Sequence, residues 1–452
     1  MIEQAVAYAR AHREAFLEQF REFVAIPSVS TLSEHKPDMA RTAEWLTAQL
    51  RALGMTRAEA LPTGGPPAVY AEWLGAQGKP TVLVYGHYDV QPVDPIDEWA
   101  SPPFEPTVRG ENVYARGASD DKGQILAVLK AVEALVEQGP LPVNLKCIFE
   151  GEEEVGSPHL GAFIEKHREL LACDFVMNCD ASILGPDAPA ITYALRGLAY
   201  FEVEVRGPAK DLHSGGFGGA IHNPIQVLCE LIAGMHHADG RIALPGFYDS
   251  VRPLADEERA ALAKLNQDDE QVLEMSGAPA LWGEQGYTVT ERLGARPSLC
   301  INGILGGFTG EGSKTVLPAR AMAKVSMRLV PDQEPEAVHE QLCAYLRANA
   351  PNTVTWAVRE LAHGPGAVMD RTSPWMEAAV AALREVFGAG PVFRREGGSV
   401  PVVGMMQQLL GADSVMLGFA LPDDGIHGPN EKQHLPTWFR GIETYIRFLA
   451  SL

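Results

Sequence analysis

Thr81-Val82-Leu83-Val84-Tyr85-Gly86-His87-Tyr88-Asp89 opens apolar on both faces and closes on a histidine and an aspartate. A strand without a polar face belongs in the middle of a sheet covered by helices. In open α/β sheets, ligands bind beyond the carboxyl ends of such strands. Two residues apart on extended chain, His87 and Asp89 point the same way. Either one binds a cation while the other orients it, or the pair belongs to an ordinary turn capped by Asp89. The motif alone leaves both open.

Outward from this strand the pattern repeats. Residues 68–73 and 143–149 read as further strands and 124–137 as a helix. An amphipathic helix is predicted over 2–24, stopping at Ile26-Pro27, and another over 39–53, ended by Gly54. Helix and strand alternate, which defines an α/β fold. The region from about 192 to 363 reads differently. Strands at 198–205, 298–304, 320–329 and 354–361 and helices at 223–236 and 334–349 give the order βαββαβ, the ferredoxin-like arrangement. An insertion over about 241–297, charged and then Gly/Pro-rich, interrupts it. A helix at 374–387, a strand at 414–418 and a closing helix at 437–452 resume the first pattern. The expected organisation is a catalytic α/β domain over 1–191 and 364–452, interrupted by a smaller α+β domain over 192–363.

The 452 residues are too many for one ordinary core. A net charge of -21, from 37 basic and 58 acidic side chains, repels phosphate backbones and anionic bilayers, so neither nucleic acid nor membrane is an expected partner. Six cysteines without a Cys-x-x-Cys pair argue for buried free thiols in a reducing compartment. The N-terminal 24 residues lack an apolar signal-type core, which makes a cytoplasmic location the default.

Four more stretches carry carboxylates or histidine: Ser119-Asp120-Asp121-Lys122-Gly123, Glu150-Gly151-Glu152-Glu153-Glu154, Asn178-Cys179-Asp180 and His427-Gly428-Pro429-Asn430-Glu431. Each alone has a plain reading, as a helix N-cap with an acidic first turn or as a solvated acidic run. Three adjacent carboxylates are costly when buried and ionised, unless cations compensate them. Five such stretches along one sheet edge make the ligand set of a two-metal hydrolase.

The segments Gly-His-Tyr-Asp-Val-Gln-Pro (86–92), Arg-Gly-Ala-Ser-Asp-Asp-Lys-Gly (116–123), Glu-Gly-Glu-Glu-Glu-Val-Gly-Ser (150–157) and His-Gly-Pro-Asn-Glu-Lys (427–432) resemble the carnosinase and cytosolic non-specific dipeptidase branch of the di-zinc aminoacylase and carboxypeptidase family. The resemblance covers nearly the whole chain. It implies a zinc-peptidase-like domain with a central mixed sheet flanked by helices, interrupted by a ferredoxin-like lid and dimerisation domain. It also implies two divalent metal ions, Zn²⁺ first with Mn²⁺ or Co²⁺ as alternatives. His87 and Asp180 would hold one, Glu154 and His427 the other, and Asp120 would bridge them with a cis peptide bond to Asp121. Asp89 would orient His87, and Glu153 would be the general base. Physics alone does not separate Asp120 from Asp121, or Glu154 from Glu152 and Glu153; the family motif does.

By the same resemblance, His213 matches a lid histidine that stabilises the oxyanion in the partner subunit's site. Read alone, it is a loop histidine in a Gly-rich turn. Arg328 resembles a clamp for the substrate carboxylate, a task suited to its two-point fork. Thr315, His363, Gly398 and Ser399 match positions lining the substrate pocket, and Asn302 is a further candidate. The implied function is a metal-dependent hydrolase of dipeptides or other short peptides with a free C-terminal carboxylate, working by metal-activated water and a glutamate base as a homodimer. The alternatives are an N-acyl amino-acid deacylase of the acetylornithine deacetylase or succinyl-diaminopimelate desuccinylase type, and a non-catalytic binding protein on the same fold.

Overall fold

The apolar run at residue 81 forms the strand Thr81–His87, which pairs in parallel with Asn144–Glu150 on one side and Phe175–Asn178 on the other. Both neighbours are strand-like for the same reason: their side chains are buried almost throughout. A fourth parallel strand, Asp413–Met416, pairs with Phe175–Asn178. Beyond Asn144–Glu150 the sheet turns antiparallel through Ala68–Trp73 and Arg57–Leu61. The result is a six-stranded mixed sheet. Lys122–Val136 packs against the closing helix Leu435–Ser451 and is buried along nearly its whole length. A helix that is mostly apolar around its circumference belongs in such a place.

This computed structural model describes residues 1–265, 269–398 and 401–452. The chain clusters into two compact units: Met1–Tyr193, Met369–Arg394 and Met405–Leu452 in the first, Ala194–Val368 and Arg395–Gly404 in the second. The second unit holds a four-stranded antiparallel sheet in the order Ser298–Gly306, Arg320–Leu329, Gly197–Arg206, Thr355–Gly364. Alternate residues of its two central strands are buried, as one covered face requires. They pack on the helices Pro224–Ala233 and Pro335–Asn349 around Phe201, Leu228, Val325 and Leu342. The 241–297 insertion carries three short helices, the last opened by a capping box between Thr288 and Glu291.

Two expectations need correction. The N-terminal helix is not continuous: Ile2–Ala11 and Arg13–Val24 meet at His12, whose backbone has left the helical region. The His12 ring stacks on Tyr8 at 3.9 Å and its Nδ1 lies 2.9 Å from the Tyr8 carbonyl oxygen. The side chain thus competes for an acceptor of the helix ladder. Nor are all six thiols buried. Cys147 and Cys179 are, whereas Cys229 and Cys300 are exposed, since burial follows the face of an element and not the apolar run alone. None of the described helices is long and apolar enough to cross a membrane.

Candidate metal centre

The parallel strands of the first unit deliver the polar residues to one edge. His87 ends Thr81–His87, Glu152 to Glu154 follow Asn144–Glu150, Asp180 follows Phe175–Asn178, and His427 lies beyond Asp413–Met416. Asp120 sits just before the helix Lys122–Val136, and its peptide bond to Asp121 is cis. Gly86 makes the approach possible: a Cβ there would lie 2.6 Å from Asp121 Oδ2 and 2.8 Å from Cys179 Sγ. His427 has a φ of 63°, in the left-handed region, which a histidine adopts only where its surroundings hold it.

Asp120 is the hub. Its Oδ1 lies 2.9 Å from His87 Nε2, and its Oδ2 lies 3.0 Å from His427 Nε2. His427 Nε2 is also 3.2 Å from Glu154 Oε2, and His87 Nε2 is 3.9 Å from Asp180 Oδ2. One donor atom each from His87, Asp120 and Glu154 lies within 4.8 Å of the others. Asp89, fully buried, places Oδ1 3.4 Å from His87 Nδ1. The same carboxylate accepts the backbone N–H groups of Glu153 and Glu154, each at 3.1 Å. Gln91 Nε2 donates to Glu154 Oε2 at 2.8 Å.

The electrostatics follow from burial against pairing. Burial pushes the Asp120 carboxyl up, but the hydrogen bonds from His427 and His87 outweigh it and hold it below the usual carboxylate range. Burial pulls His87 down, and Asp120 and Asp89 together drive it well above its ordinary value. His427 is raised to about 10, by Asp120 and then Glu154. Burial drives the Glu153 carboxyl well above its ordinary value, with Asp180 and Asp120 adding to the rise. Asp120 and Glu154 thus draw their compensating charge from histidines. A carboxylate cluster that draws its compensating charge from imidazoles offers donor chemistry that divalent cations satisfy better, since nitrogen and oxygen donors on short reach suit them. The residues present fit a metal.

Three further residues complete the architecture and carried no site role in the sequence reading. Glu431 Oε1 accepts the N–H groups of Ser119 and Asp120, at 2.9 and 3.1 Å, while Oε2 accepts the N–H of Gly117 and pairs with Arg116 at 2.8 Å. Asp424 accepts the Ser119 hydroxyl at 2.7 Å and pairs with Lys432 at 3.0 Å. Asp121 Oδ2 accepts the His87 backbone N–H at 3.0 Å. Glu431 and Asp121 stand inside the quoted motifs, and nothing in composition or spacing separates such a buried carboxylate from a solvated one. Asp424 carries no signal.

The remaining candidates lie in the second unit. His213 is exposed and accepts the Gly215 N–H through Nδ1 at 3.0 Å. It pairs with Val316, while Ser214 N–H donates to the Thr315 carbonyl, so Thr315 is its neighbour. Arg328 lies on a central strand between Ser298 and Leu198. His363 is exposed, with Nδ1 2.6 Å from Glu360 Oε1. Gly398 is exposed, and a Cβ there would meet nothing within 4 Å. Ser399 lies outside the described residues.

A mixed sheet with histidine and carboxylates gathered at its carboxyl edge defines a metallohydrolase class, and the chain belongs to peptidase family M20/M25/M40, whose sequence profile matches residues 83–451. It is 34% identical to the Cys-Gly metallodipeptidase of Candida albicans, over 95% of this chain and 93% of the relative. It is 34% identical to the human Beta-Ala-His dipeptidase, over 100% of this chain and 93% of that protein. The crystal structure of an M20 family metallo-carboxypeptidase from Sulfolobus solfataricus is similar with a TM-score of 0.86 at 34% identity, covering 96% of this chain and 98% of the other. The family and the dipeptidase branch are those that the sequence motifs resemble.

Proposed function

We propose that this chain is a metal-dependent dipeptidase, hydrolysing the amide bond of short peptides that carry a free C-terminal carboxylate. The single observation that supports it most is Asp120, with one carboxylate oxygen 2.9 Å from His87 and the other 3.0 Å from His427. A carboxylate shared in that way would suit a bridging ligand. His87 and Asp180 would hold one cation, Glu154 and His427 the other, and Asp120 would contribute to both; Zn²⁺ would suit the set, with Mn²⁺ or Co²⁺ as alternatives. When bound, two such cations would supply a water of near-neutral pKa and polarisation of the substrate carbonyl.

The protein's own groups do the rest. Asp89 orients His87 and holds the Glu153 and Glu154 backbones. Glu153 accepts the proton of the attacking water on its carboxylate and returns it to the leaving amine. His213 stabilises the oxyanion from the partner subunit, and Arg328 takes the substrate carboxylate by its fork. Thr315, His363, Gly398 and Ser399 are the further candidates for contact with the substrate. The second unit serves as lid and dimerisation domain; its exposed Phe217, Ile221, Ile304, Leu305 and Phe308 supply apolar surface for a homodimer. Six free cysteines favour a reducing, cytoplasmic setting.

The test is an assay of the Zn²⁺- or Mn²⁺-loaded chain on a dipeptide panel beside N-acetyl and N-succinyl amino acids, with Glu153→Ala as the control. Turnover of dipeptides that Glu153→Ala abolishes is the expected result. Turnover confined to acylated amino acids would assign the chain to the deacylases instead, and no turnover of either class would leave it a binding protein.

A further inference from the structure

The second unit contains a cavity of about 460 Å³ whose wall is unevenly charged. Four guanidinium groups line it, from Arg196, Arg292, Arg296 and Arg328, against one carboxylate, Glu284. Glu284 is already engaged. It forms a two-point pair with Arg296, Oε2 to Nε at 2.8 Å and Oε1 to Nη2 at 2.7 Å, and both side chains are buried. Arg196, only 8% exposed, donates to acceptors without charge: the carbonyls of Gly397, Arg296 and Arg292 and the Ser298 hydroxyl, at 3.2 to 3.4 Å. Arg292 Nε likewise donates to a carbonyl, that of Glu284, at 2.9 Å. Burial, and then the charge of Arg328, lower the Arg196 guanidinium to about 10. A buried guanidinium held by neutral acceptors, as Arg196 is, with the half-buried Arg292 and Arg328 on the same wall, is costly unless an anion completes it.

The rest of the wall says what kind of anion. Trp282 lines the cavity with His236 edge-on at 5.1 Å, and Leu299 adds apolar surface. Trp282, Glu284, Arg292 and Arg296 all belong to the 241–297 insertion, for which the sequence offered no role. A single carboxylate would leave most of the excess positive charge in place, whereas two carboxylates on a short apolar stem would offset more of it and fill the apolar side.

We propose that this cavity selects peptides whose C-terminal residue has an acidic side chain, with Arg292 and Arg196 as the specificity-determining residues and the insertion as the structure that supplies the selection. The proposal rests on the reading of the chain as a short-peptide hydrolase in which Arg328 takes the terminal carboxylate. It deepens that reading by naming a substrate class. A free dicarboxylate shares the chemistry, so the test separates the two sources.

Isothermal titration of the full chain, kept metal-free so that no ligand is consumed, is carried out with Ala-Glu, Ala-Gln and glutarate. Ala-Glu is expected to bind at least about tenfold more tightly than Ala-Gln, the size of one charge-assisted hydrogen bond, and more tightly than glutarate. Arg292→Gln brings Ala-Glu and Ala-Gln within about twofold, and Arg292→Lys, which keeps the charge and the stem, retains a preference. With the loaded enzyme, kcat/KM ranks the two peptides in the same order. Equal binding of Ala-Glu and Ala-Gln, an unaltered ratio in Arg292→Gln, or glutarate binding as tightly as Ala-Glu would each overturn the proposal. If the loaded enzyme cleaves no peptide, the dipeptidase reading fails, and the titration still decides what the cavity binds.

Discussion

Glu431 stands 311 residues from Asp120, and its carboxylate accepts the Asp120 N–H directly. It also accepts the N–H groups of Gly117 and Ser119 and the Arg116 guanidinium. Since His427 lies four residues before it, one buried side chain ties the loop bearing His427 to the loop bearing Asp120. In this account Glu431 is a positioning residue. Glu431→Gln replaces one acceptor oxygen by an N–H donor facing other donors, and it leaves Arg116 buried without its partner. Metal affinity, measured by chelator competition, is expected to fall about 10- to 100-fold, as for other residues that orient a ligand from behind. Unchanged affinity would show that the Asp120 loop holds its place without Glu431.

At the scale of elements, Glu150 ends the strand beside His87 and accepts the Tyr85 hydroxyl at 2.6 Å and the Ser157 hydroxyl at 2.9 Å. Burial pushes its carboxyl from 4.5 up to about 7, against those two hydrogen bonds. The folded chain therefore keeps a proton that the unfolded chain releases at lower pH. Stability from this group is complete below about pH 4.5 and is lost as pH rises through about 7, a difference of about 3 kcal/mol. Glu150→Gln keeps an acceptor and does not titrate. In urea denaturation of the metal-free protein it should gain on the parent as pH rises from 4.5 to 7.5, and parallel profiles would contradict the assignment. Elements of this kind were legible wherever one force dominated. The strands at 81–87, 144–150 and 320–329 are apolar or alternating runs, and Pro374–Phe387 has Ser373 and Gly388 at its ends. The edge strand Arg57–Leu61 was missed because it is charged and barely buried, and the break at His12 because it comes from one side chain finding a local acceptor. The site was half legible: the motifs located the carboxylates, while the double hold of Asp89 on Glu153 and Glu154 emerges only when the chain folds.

On the scale of the whole molecule, the proposed homodimer makes each active site depend on His213 from the other chain. Mixing inactive His213→Ala with inactive Glu153→Ala should then restore up to about a quarter of parental activity, since half of randomly mixed dimers are mixed and each has one intact site. No recovery between chains shown to exchange would place His213 in its own subunit's site or outside the chemistry. The larger claim is that distant parts of the chain gather around a pair of cations, and anomalous diffraction from crystals of the Zn²⁺-loaded protein tests it most directly. The account predicts two peaks per chain, one among His87, Asp120 and Asp180 and one among Asp120, Glu154 and His427; a single peak, or peaks away from Asp120, would contradict it.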